Sequence, residues 1–406
     1  MSELPAIEGG KPIRSTPLRF RPWITDEDIK LVVDTLKTGQ LSAIGGKWNT
    51  MLEQELTKYL SAKYAVTVSN GTTALHVALK AIGVGPGDEV ITTPFTFAAS
   101  ATTILHSNAI PIFADIDKET LNIDPALIED AITDRTKAIV VVHLAGYPAE
   151  MDEIMKIASE RGLYVIEDTA QALGAIYRGR MVGSIGHVGT LSFYPTKTIT
   201  TGEGGAVITN NEEVANRARL LRSHGETGKY YYELLGYNYR MTEFQAALGY
   251  SQLRRIEEII RRKETFAKAL MEELQDIEND LIQFPRPKPY IRHAWHLFQI
   301  LLNLERLRVS RDRVVEALRA EGIEAATVAY PIPLHKEPII INMVGHGRGC
   351  PWTCPYYGRK AVYKPLRNAE WAAERVLTIL IGPLYTTEDA VDTAKAIKKI
   401  LNYYKR

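Results

Sequence analysis

Residues 64–83 read YAVTVSNGTTALHVALKAIG and join two kinds of secondary structure. The first five are β-branched or aromatic apart from one alanine, and they predict a strand. From Thr72 to Gly83, apolar side chains recur at the i, i+3, i+4 and i+7 positions, which predicts a helix with one apolar face. A strand that passes through glycine directly into a helix is typical of α/β proteins, in which helices cover a sheet.

The residues that follow repeat this alternation. Apolar runs at 89–93, 110–113, 138–144 and 163–166 predict buried strands, the last running straight into Glu167 and Asp168. Helical patterns at 124–132 and 151–161 lie between them. The order predicts an α/β fold with a largely parallel, helix-covered sheet.

After Arg240 the pattern changes. Residues 241–273 predict one long helix, and a proline-rich break follows at 284–289. Next come a predicted strand at 295–302, a helix at 311–321, an aromatic stretch rich in proline and glycine at 330–364, and helices at 369–377 and 388–401. We therefore expect an N-terminal segment (1–24), a large domain (25–250), and a linker helix with a small C-terminal α/β domain (251–406).

Composition excludes several classes of protein. The chain has 406 residues and a net charge of +1, which gives no electrostatic reason to bind nucleic acid or an anionic membrane. No apolar run approaches the ~18 residues that span a bilayer, and the N-terminus lacks a signal-peptide pattern. The two cysteines, Cys350 and Cys354, are too few for a disulfide framework. We expect a cytoplasmic protein.

The turn after the first strand is a candidate anion site. Gly71 leads into the helix, whose free N–H groups and dipole attract anions, and Thr72 adds a hydroxyl. The alternative is that Thr72 serves only as the N-cap of the helix.

Asp168 and Lys197 complete a chemical pattern. Asp168 ends an apolar strand, where open α/β sheets usually bind ligands, and its carboxylate suits a protonated pyridine nitrogen. Lys197 lies in a turn between strand-like runs, where an amine shielded from water forms a Schiff base with an aldehyde cofactor. Ser192, on the preceding strand, offers a second hydroxyl to a phosphate. The alternatives are a structural aspartate and a solvated surface lysine. Together these residues describe a site for pyridoxal 5'-phosphate.

The chain resembles the DegT-type (DegT/StrS) sugar aminotransferases, which are pyridoxal-phosphate enzymes of fold type I with a mixed, mostly parallel seven-stranded sheet and a smaller C-terminal domain. The resemblance covers nearly the whole chain and rests on four motifs: SNGTTAL (69–75), TPFTF (93–97), EDTAQ (167–171), and Lys197 followed by TGEGG (201–205). It implies that Lys197 forms the internal aldimine and shuttles protons, and that Asp168 partners the pyridinium nitrogen. It also implies Gln171 beside the ring hydroxyl, Phe97 stacked on the ring, and Gly71, Thr72 and Ser192 on the phosphate.

A further motif, GYNYRM (236–241), extends the resemblance to assembly. It implies that Asn238 reaches the cofactor phosphate of a neighbouring subunit, and that the enzyme is a homodimer with shared active sites. Arg240 resembles a contact to substrate diphosphate from that neighbour, and His335 a substrate-phosphate contact from the second domain. The implied reaction moves an amino group from glutamate or glutamine to a keto sugar, most often nucleotide-linked.

Three alternatives stay open at this point. The acceptor could be a free or phosphorylated keto sugar or a keto-cyclitol, since the opening GGKPIR (9–14) resembles a branch that aminates cyclitols. The chain could be a non-catalytic regulator with the same fold, although the complete set of Asp168, Gln171 and Lys197 argues against that. His346, Cys350 and Cys354 could bind a metal, but zinc sites usually show closer cysteine pairs and four ligands, so we expect none.

Overall fold

The computed structural model describes residues 3–406. Its helices are α1 Asp26–Thr38, α2 Trp48–Leu60, α3 Gly71–Ala81, α4 Ala99–His106, α5 Pro125–Ile128, α6 Met151–Arg161, α7 Glu212–Arg222, α8 Glu243–Leu253, α9 Ile256–Glu273, α10 Arg311–Ala320, α11 Pro338–Ile341, α12 Arg367–Arg375 and α13 Thr387–Tyr404. Its strands are β1 Tyr64–Val68, β2 Glu89–Thr92, β3 Ile110–Phe113, β4 Thr136–Val142, β5 Tyr164–Asp168, β6 Ile176–Tyr177, β7 Arg180–Met181, β8 Val188–Ser192, β9 Gly205–Thr209, β10 Glu226–Gly228, β11 Tyr231–Tyr232, β12 Ile282–Gln283, β13 Ile291–Arg292, β14 Leu297–Leu302, β15 Ala326–Thr327 and β16 Val376–Leu380.

A seven-stranded sheet carries the candidate site. Its order is β1-β9-β8-β5-β4-β2-β3, and the neighbours from β8 to β3 run parallel, whereas β9 is antiparallel to both β1 and β8. The mixed, mostly parallel α/β architecture is thus confirmed. Because β5 and β8 are parallel, with Asp168 paired to Thr190, their carboxyl ends meet at one edge of the sheet.

Both faces of this sheet are covered. Helices α3 and α7 pack on one face, where Val77 and Leu79 have no exposed surface, and α6 packs on the other through Ile154. Burying one such aliphatic side chain contributes about 1.5–3 kcal/mol relative to leaving it in water. This packing fixes the strands that carry the site residues.

A four-stranded antiparallel sheet of order β12-β14-β16-β15 follows in the sequence. Helices α9, α10 and α13 form its core. Leu18 near the N-terminus pairs with this unit, donating to Gly322 O at 2.8 Å and accepting from Ala325 N at 2.9 Å. The division into domains at residues 25 and 250 stays a prediction.

Two sequence predictions about secondary structure were wrong. The long helix at 241–273 is two helices, α8 and α9, because Arg255 leaves helical geometry (φ −118°, ψ 18°) and its guanidinium pairs with buried Asp28. The helix at 369–377 stops at Arg375, since the β-branched run of β16 pairs with β14 on one side and β15 on the other. Within residues 3–406, no helix combines the length and the apolar character that a bilayer crossing requires.

Candidate active site

Asp168, the last residue of β5, is a buried carboxylate with few partners. Its side chain accepts hydrogen bonds from Ser100 Oγ at 2.8 Å and from Ala170 N at 3.2 Å, and the residue is 6% exposed. It forms no ion pair with any side chain of residues 3–406. Burial raises its pKa above the usual range, and the charge of Lys197 opposes that shift. A carboxylate in this state favours a cationic ligand.

The neighbouring carboxylate, Glu167, is satisfied by the protein itself. It accepts backbone hydrogen bonds of 2.6–2.7 Å from the loop 183–186 and lies 3.0 Å from His143 Nε2. Since Ala149 N donates to His143 Nδ1 at 3.0 Å, the imidazole proton sits on Nε2 and is donated to Glu167. Glu167 is therefore structural, and Asp168 is the carboxylate left for a ligand.

Lys197 lies in the turn after β8, where its backbone N–H donates to Tyr194 O at 2.9 Å. Burial of its amine lowers its pKa to about 8, against the opposing influence of the Asp168 charge. Its Nζ lies 3.5 Å from His296 Nε2. A lysine with a lowered pKa is a stronger candidate nucleophile than a solvated one, because more of it is unprotonated near neutral pH.

Helix α3 begins at Gly71, two residues earlier than the capping alternative requires. Asn70 is the N-cap and accepts from Thr73 N at 2.9 Å, while Thr73 Oγ1 accepts from Asn70 N at 3.1 Å. Thr72 is therefore the second helical residue and not the cap. Asn70 and Thr73 satisfy each other, so the cap does not need Thr72. The Thr72 hydroxyl has no partner within residues 3–406 and is left for an anion.

Gly71 brings the helix end against the main sheet. A Cβ at this position would lie 2.7 Å from Ser192 Cβ and 3.0 Å from its Oγ. This close approach places the Ser192 hydroxyl beside the free N–H groups of α3. The hydroxyls of Thr72 and Ser192 and the helix N-terminus together form a cradle that suits a phosphate.

Gln171 is held at both ends of its amide. Its Oε1 accepts from Ala145 N at 2.8 Å, and its Nε2 donates to the hydroxyl of Tyr330 at 2.9 Å. Burial raises the pKa of Tyr330 well above its usual range, so its hydroxyl keeps its proton. The sequence analysis did not single out Tyr330 as a site residue, since only the fold brings it across 159 positions to Gln171.

Phe97 lies three residues before Ser100, the hydrogen-bond partner of Asp168. The residue is 64% exposed. Its backbone is held in the loop before α4, where its carbonyl accepts a hydrogen bond from Ser100 N at 3.2 Å. A large aromatic ring left exposed in this way offers a stacking face to a flat ligand.

Asn238 and Arg240 lie on either side of Tyr239, in the segment that passes the start of α3. Tyr239 between them accepts from Ser69 N at 2.8 Å, and its ring stacks on that of Tyr237 at 4.8 Å. Neither the amide of Asn238 nor the guanidinium of Arg240 has a hydrogen-bond partner within residues 3–406. Both are therefore available to a ligand or to another subunit.

His335 is bound to a different part of the molecule. Its Nε2 lies 3.0 Å from Glu370 Oε1 on α12, and Lys336 pairs with the same carboxylate at 2.7 Å. It lines a cavity of about 670 Å³ beside β3 together with Phe113. The structure does not bring its side chain into contact with Asp168 or Lys197.

The cysteine-containing loop offers no metal centre. Among residues 3–406, no three His, Cys, Asp or Glu side chains are arranged so that they could hold a metal ion. His346 Nε2 lies 2.8 Å from Leu105 O, and Cys350 and Cys354 are free thiols.

Comparison with known proteins gives consistent matches. The sequence profile of the DegT/DnrJ/EryC1/StrS aminotransferase family matches residues 22–398. An uncharacterized protein of Methanocaldococcus jannaschii is 42% identical over 395 residues, which cover 94% of this chain and 97% of that protein. GDP-perosamine synthase of Caulobacter vibrioides is 39% identical over 317 residues, covering 77% and 84% of the two chains. The X-ray structure of the aminotransferase from Psychrobacter cryohalolentis has a TM-score of 0.86 and 33% identity, covering 96% of this chain and 100% of that one.

Proposed function

Because the chain belongs to the DegT/DnrJ/EryC1/StrS aminotransferase family, we propose that it transfers an amino group from glutamate or glutamine to a nucleotide-linked keto-hexose. Family membership confirms three predictions from the sequence: the fold-type-I architecture, an aminotransferase activity and the requirement for pyridoxal phosphate. The complete set of Asp168, Gln171 and Lys197 supports an enzyme over a non-catalytic regulator, because a binding protein needs no reactive lysine. The nucleotide-linked acceptor is supported by the relative named GDP-perosamine synthase.

The observation that carries this proposal is that Asp168 and Lys197 are both buried and that the charge of each acts on the pKa of the other. One is a buried carboxylate without an ion pair, and the other is an amine whose pKa is lowered to about 8. The cradle between Gly71 and Ser192 suits the third part of pyridoxal phosphate, its phosphate. The residues present therefore fit the cofactor that the family requires.

When bound, pyridoxal phosphate supplies a conjugated ring that withdraws electrons from the carbon bearing the transferred amino group. Asp168 would keep the proton on the ring nitrogen, because a buried carboxylate is stabilised by a cation beside it. Ser100 orients that carboxylate through its hydrogen bond of 2.8 Å. Lys197 would hold the cofactor covalently and, once released, use its free amine to move a proton at the substrate carbon.

The surrounding residues would orient the cofactor. Thr72, Ser192 and the N–H groups of α3 would hold the phosphate, and Phe97 would cover one face of the ring. Gln171 would lie beside the ring hydroxyl, where its bonds to Ala145 and Tyr330 fix the direction of its amide. Fixing these groups before the reaction lowers its barrier, because no reorganisation is needed later.

We further propose that the active enzyme is a homodimer in which Asn238 and Arg240 serve the partner's site. Their unpartnered side chains support this role, as do the exposed residues Tyr230, Tyr231 and Leu235 just before them. Arg240 would bind the diphosphate of the acceptor through its fork of N–H donors. His335 would approach the acceptor only if the segment that carries it shifts, since Glu370 holds its ring in this structure. We place the reaction in the cytoplasm, where the free thiols of Cys350 and Cys354 stay reduced.

A free or phosphorylated keto sugar or a keto-cyclitol is the second candidate acceptor. It would leave Arg240 without a diphosphate to bind. Arg240→Ala therefore separates the two candidates: it raises KM strongly for a nucleotide-linked acceptor, and it leaves KM unchanged for an acceptor without a diphosphate.

The proposed function is tested by a two-part assay on the purified protein. Glutamate and glutamine are first added separately, and loss of the visible absorbance of the cofactor identifies the donor. Keto-sugar nucleotides and keto-cyclitols are then added in turn, and recovery of that absorbance identifies the acceptor. Lys197→Ala is the control and should show neither change. Recovery with keto-cyclitols alone would contradict the nucleotide-linked acceptor.

A further inference from the structure

His296 lies against the amine of Lys197 although 99 residues separate them. It immediately precedes β14, and its own N–H donates to Ala145 O at 2.9 Å. Ala145 is also the residue whose N–H binds Gln171. Ala145, in the loop after β4, thus binds both His296 and Gln171. These contacts hold His296 where its ring lies against Lys197.

The His296 imidazole is neutral. It is 4% exposed, and it has no carboxylate partner within residues 3–406. Burial is the main cause that drives its pKa well below the usual range, and the charges of Lys197 and Lys263 add to it. His296 therefore stays uncharged over the pH range in which the Lys197 amine takes up its proton.

The unpartnered Nδ1 atom of His296 indicates which nitrogen carries the proton. If Nε2 accepted from a lysine ammonium, Nδ1 would bear a buried N–H that forms no hydrogen bond within residues 3–406, although the Thr196 carbonyl lies near the ring. If Nε2 carries the proton and donates it to a neutral lysine amine, Nδ1 keeps only a lone pair. Buried acceptors without partners are tolerated better than buried donors. The geometry thus favours donation from His296 to an uncharged Lys197.

The other titratable groups near Lys197 are Lys263 and Asp168. Lys263 on α9 is 1% exposed and has neither an ion pair nor a hydrogen bond within residues 3–406. Its pKa is lowered to about 7 by burial and by the charge of Lys197. The charge of Asp168 raises the pKa of Lys197 and so opposes the effect of burial. His143, directly after β4, and Tyr330 lie near Asp168.

We propose that His296 is a positioning residue: its Nε2–H donates to the Nζ lone pair of Lys197 and holds the unprotonated amine in the site when the lysine is not bound to the cofactor. The proposal rests on Lys197 being the reactive amine of the proposed function. The distance of 3.5 Å is long for a hydrogen bond, as is common for catalytic contacts without substrate.

The first test measures the pH dependence of Lys197 reactivity in the full-length protein freed of cofactor. Reductive methylation is followed at Lys197 by peptide mass spectrometry from pH 6 to pH 10. The wild type should show a midpoint near 8. In His296→Met, which removes the donor, the midpoint should rise by roughly 1 pH unit, and the rate at pH 7 should fall about tenfold. In His296→Gln, whose amide N–H replaces Nε2–H, the midpoint should return to within a few tenths of a unit of the wild type.

His293→Met is the matched control, because His293 is equally buried three residues away but does not contact Lys197. Its Lys197 midpoint should equal that of the wild type. An unchanged midpoint in a folded His296→Met protein would overturn the proposal, and so would equal shifts in the Met and Gln variants. Because this readout needs neither donor nor acceptor, it is independent of the substrate assignment.

A second measurement on the wild type covers the case in which His296→Met does not fold. Nitrogen NMR of protein labelled at histidine shows which ring nitrogen of His296 bears the proton. A proton on Nε2 supports the proposal. At pH 9, above the Lys197 midpoint of about 8, a proton on Nδ1 or on both nitrogens overturns it.

Discussion

Ser100 on α4 donates a hydrogen bond of 2.8 Å to the buried carboxylate of Asp168 on β5. The same helix begins two residues after Phe97, whose ring is exposed. One short segment thus orients the carboxylate and also carries an exposed aromatic ring. This relationship explains how the site is organised before any ligand is present.

Asp168→Asn should retain the cofactor but lose most transamination. A neutral amide no longer stabilises a protonated ring nitrogen, and we expect kcat to fall by roughly 10²–10³-fold. The measurement is single-turnover loss of the cofactor absorbance on adding the amino donor. Turnover close to that of the wild type would show that Asp168 is only structural.

The same variant should also change stability. Because burial raises the pKa of Asp168 in the folded protein, the folded state binds this proton more tightly than the unfolded state does. Stability from this group is therefore lost as the pH rises above its unfolded pKa. At pH 7 the cofactor-free Asp168→Asn protein should melt at a higher temperature than the wild type, and the difference should vanish below about pH 4. A lower melting temperature at pH 7 would contradict this sign.

Ser100→Ala should weaken catalysis without removing the cofactor. The variant leaves the Asp168 carboxylate without its side-chain donor, and hydrogen bonds to charged groups contribute about 1.5–3 kcal/mol. We expect a fall in kcat of roughly tenfold to a hundredfold. Ser107→Ala is the control, since Ser107 is equally buried just after the same helix but donates only to the Thr103 carbonyl, at 2.9 Å. Equal losses in both variants would indicate a general packing effect.

Gly71→Ala should weaken cofactor binding. The added methyl group would meet Ser192 at 2.7 Å, so the cradle between α3 and β8 must widen. Fluorescence titration with pyridoxal phosphate should show a dissociation constant raised at least tenfold. Gly85→Ala is the control, because nothing lies within 4 Å of a Cβ there. An unchanged dissociation constant for Gly71→Ala would place the phosphate elsewhere.

The shared-site proposal is tested by mixing chains. One chain carries substitutions of Asn238 and Arg240, and the other carries Lys197→Ala. In a mixed dimer, one site combines an intact lysine with the intact Asn-Arg pair of the other chain. Activity should return in about half of the sites. Confirmed heterodimers without activity would show that these residues serve their own subunit.

The sequence was most informative where function depends on local motifs. Gly71 and Lys197 each follow a strand within a few residues and Asp168 ends one, so an apolar run and a turn are enough to propose them. Ser100 and His296 could not be found in this way, because their contacts span 68 and 99 residues.

The two errors in the predicted secondary structure arose for the same reason, since residues far away in the sequence decide both positions. The break between α8 and α9 depends on the pair that Arg255 forms with Asp28, 227 residues away. The strand β16 depends on pairing with β14, which the local spacing of apolar residues in 369–377 does not show. Long-range pairing overrode local propensity in both cases.

The central claim is that Lys197 is the amine that binds pyridoxal phosphate. The most direct measurement is borohydride reduction of the purified holoprotein, followed by peptide mapping of the fixed cofactor. Lys263 is the internal comparison, since it is also buried and its pKa is also lowered. We predict that the adduct lies on the peptide containing Lys197 and that Lys197→Ala carries none. An adduct on Lys263, or on any other lysine, would contradict the account.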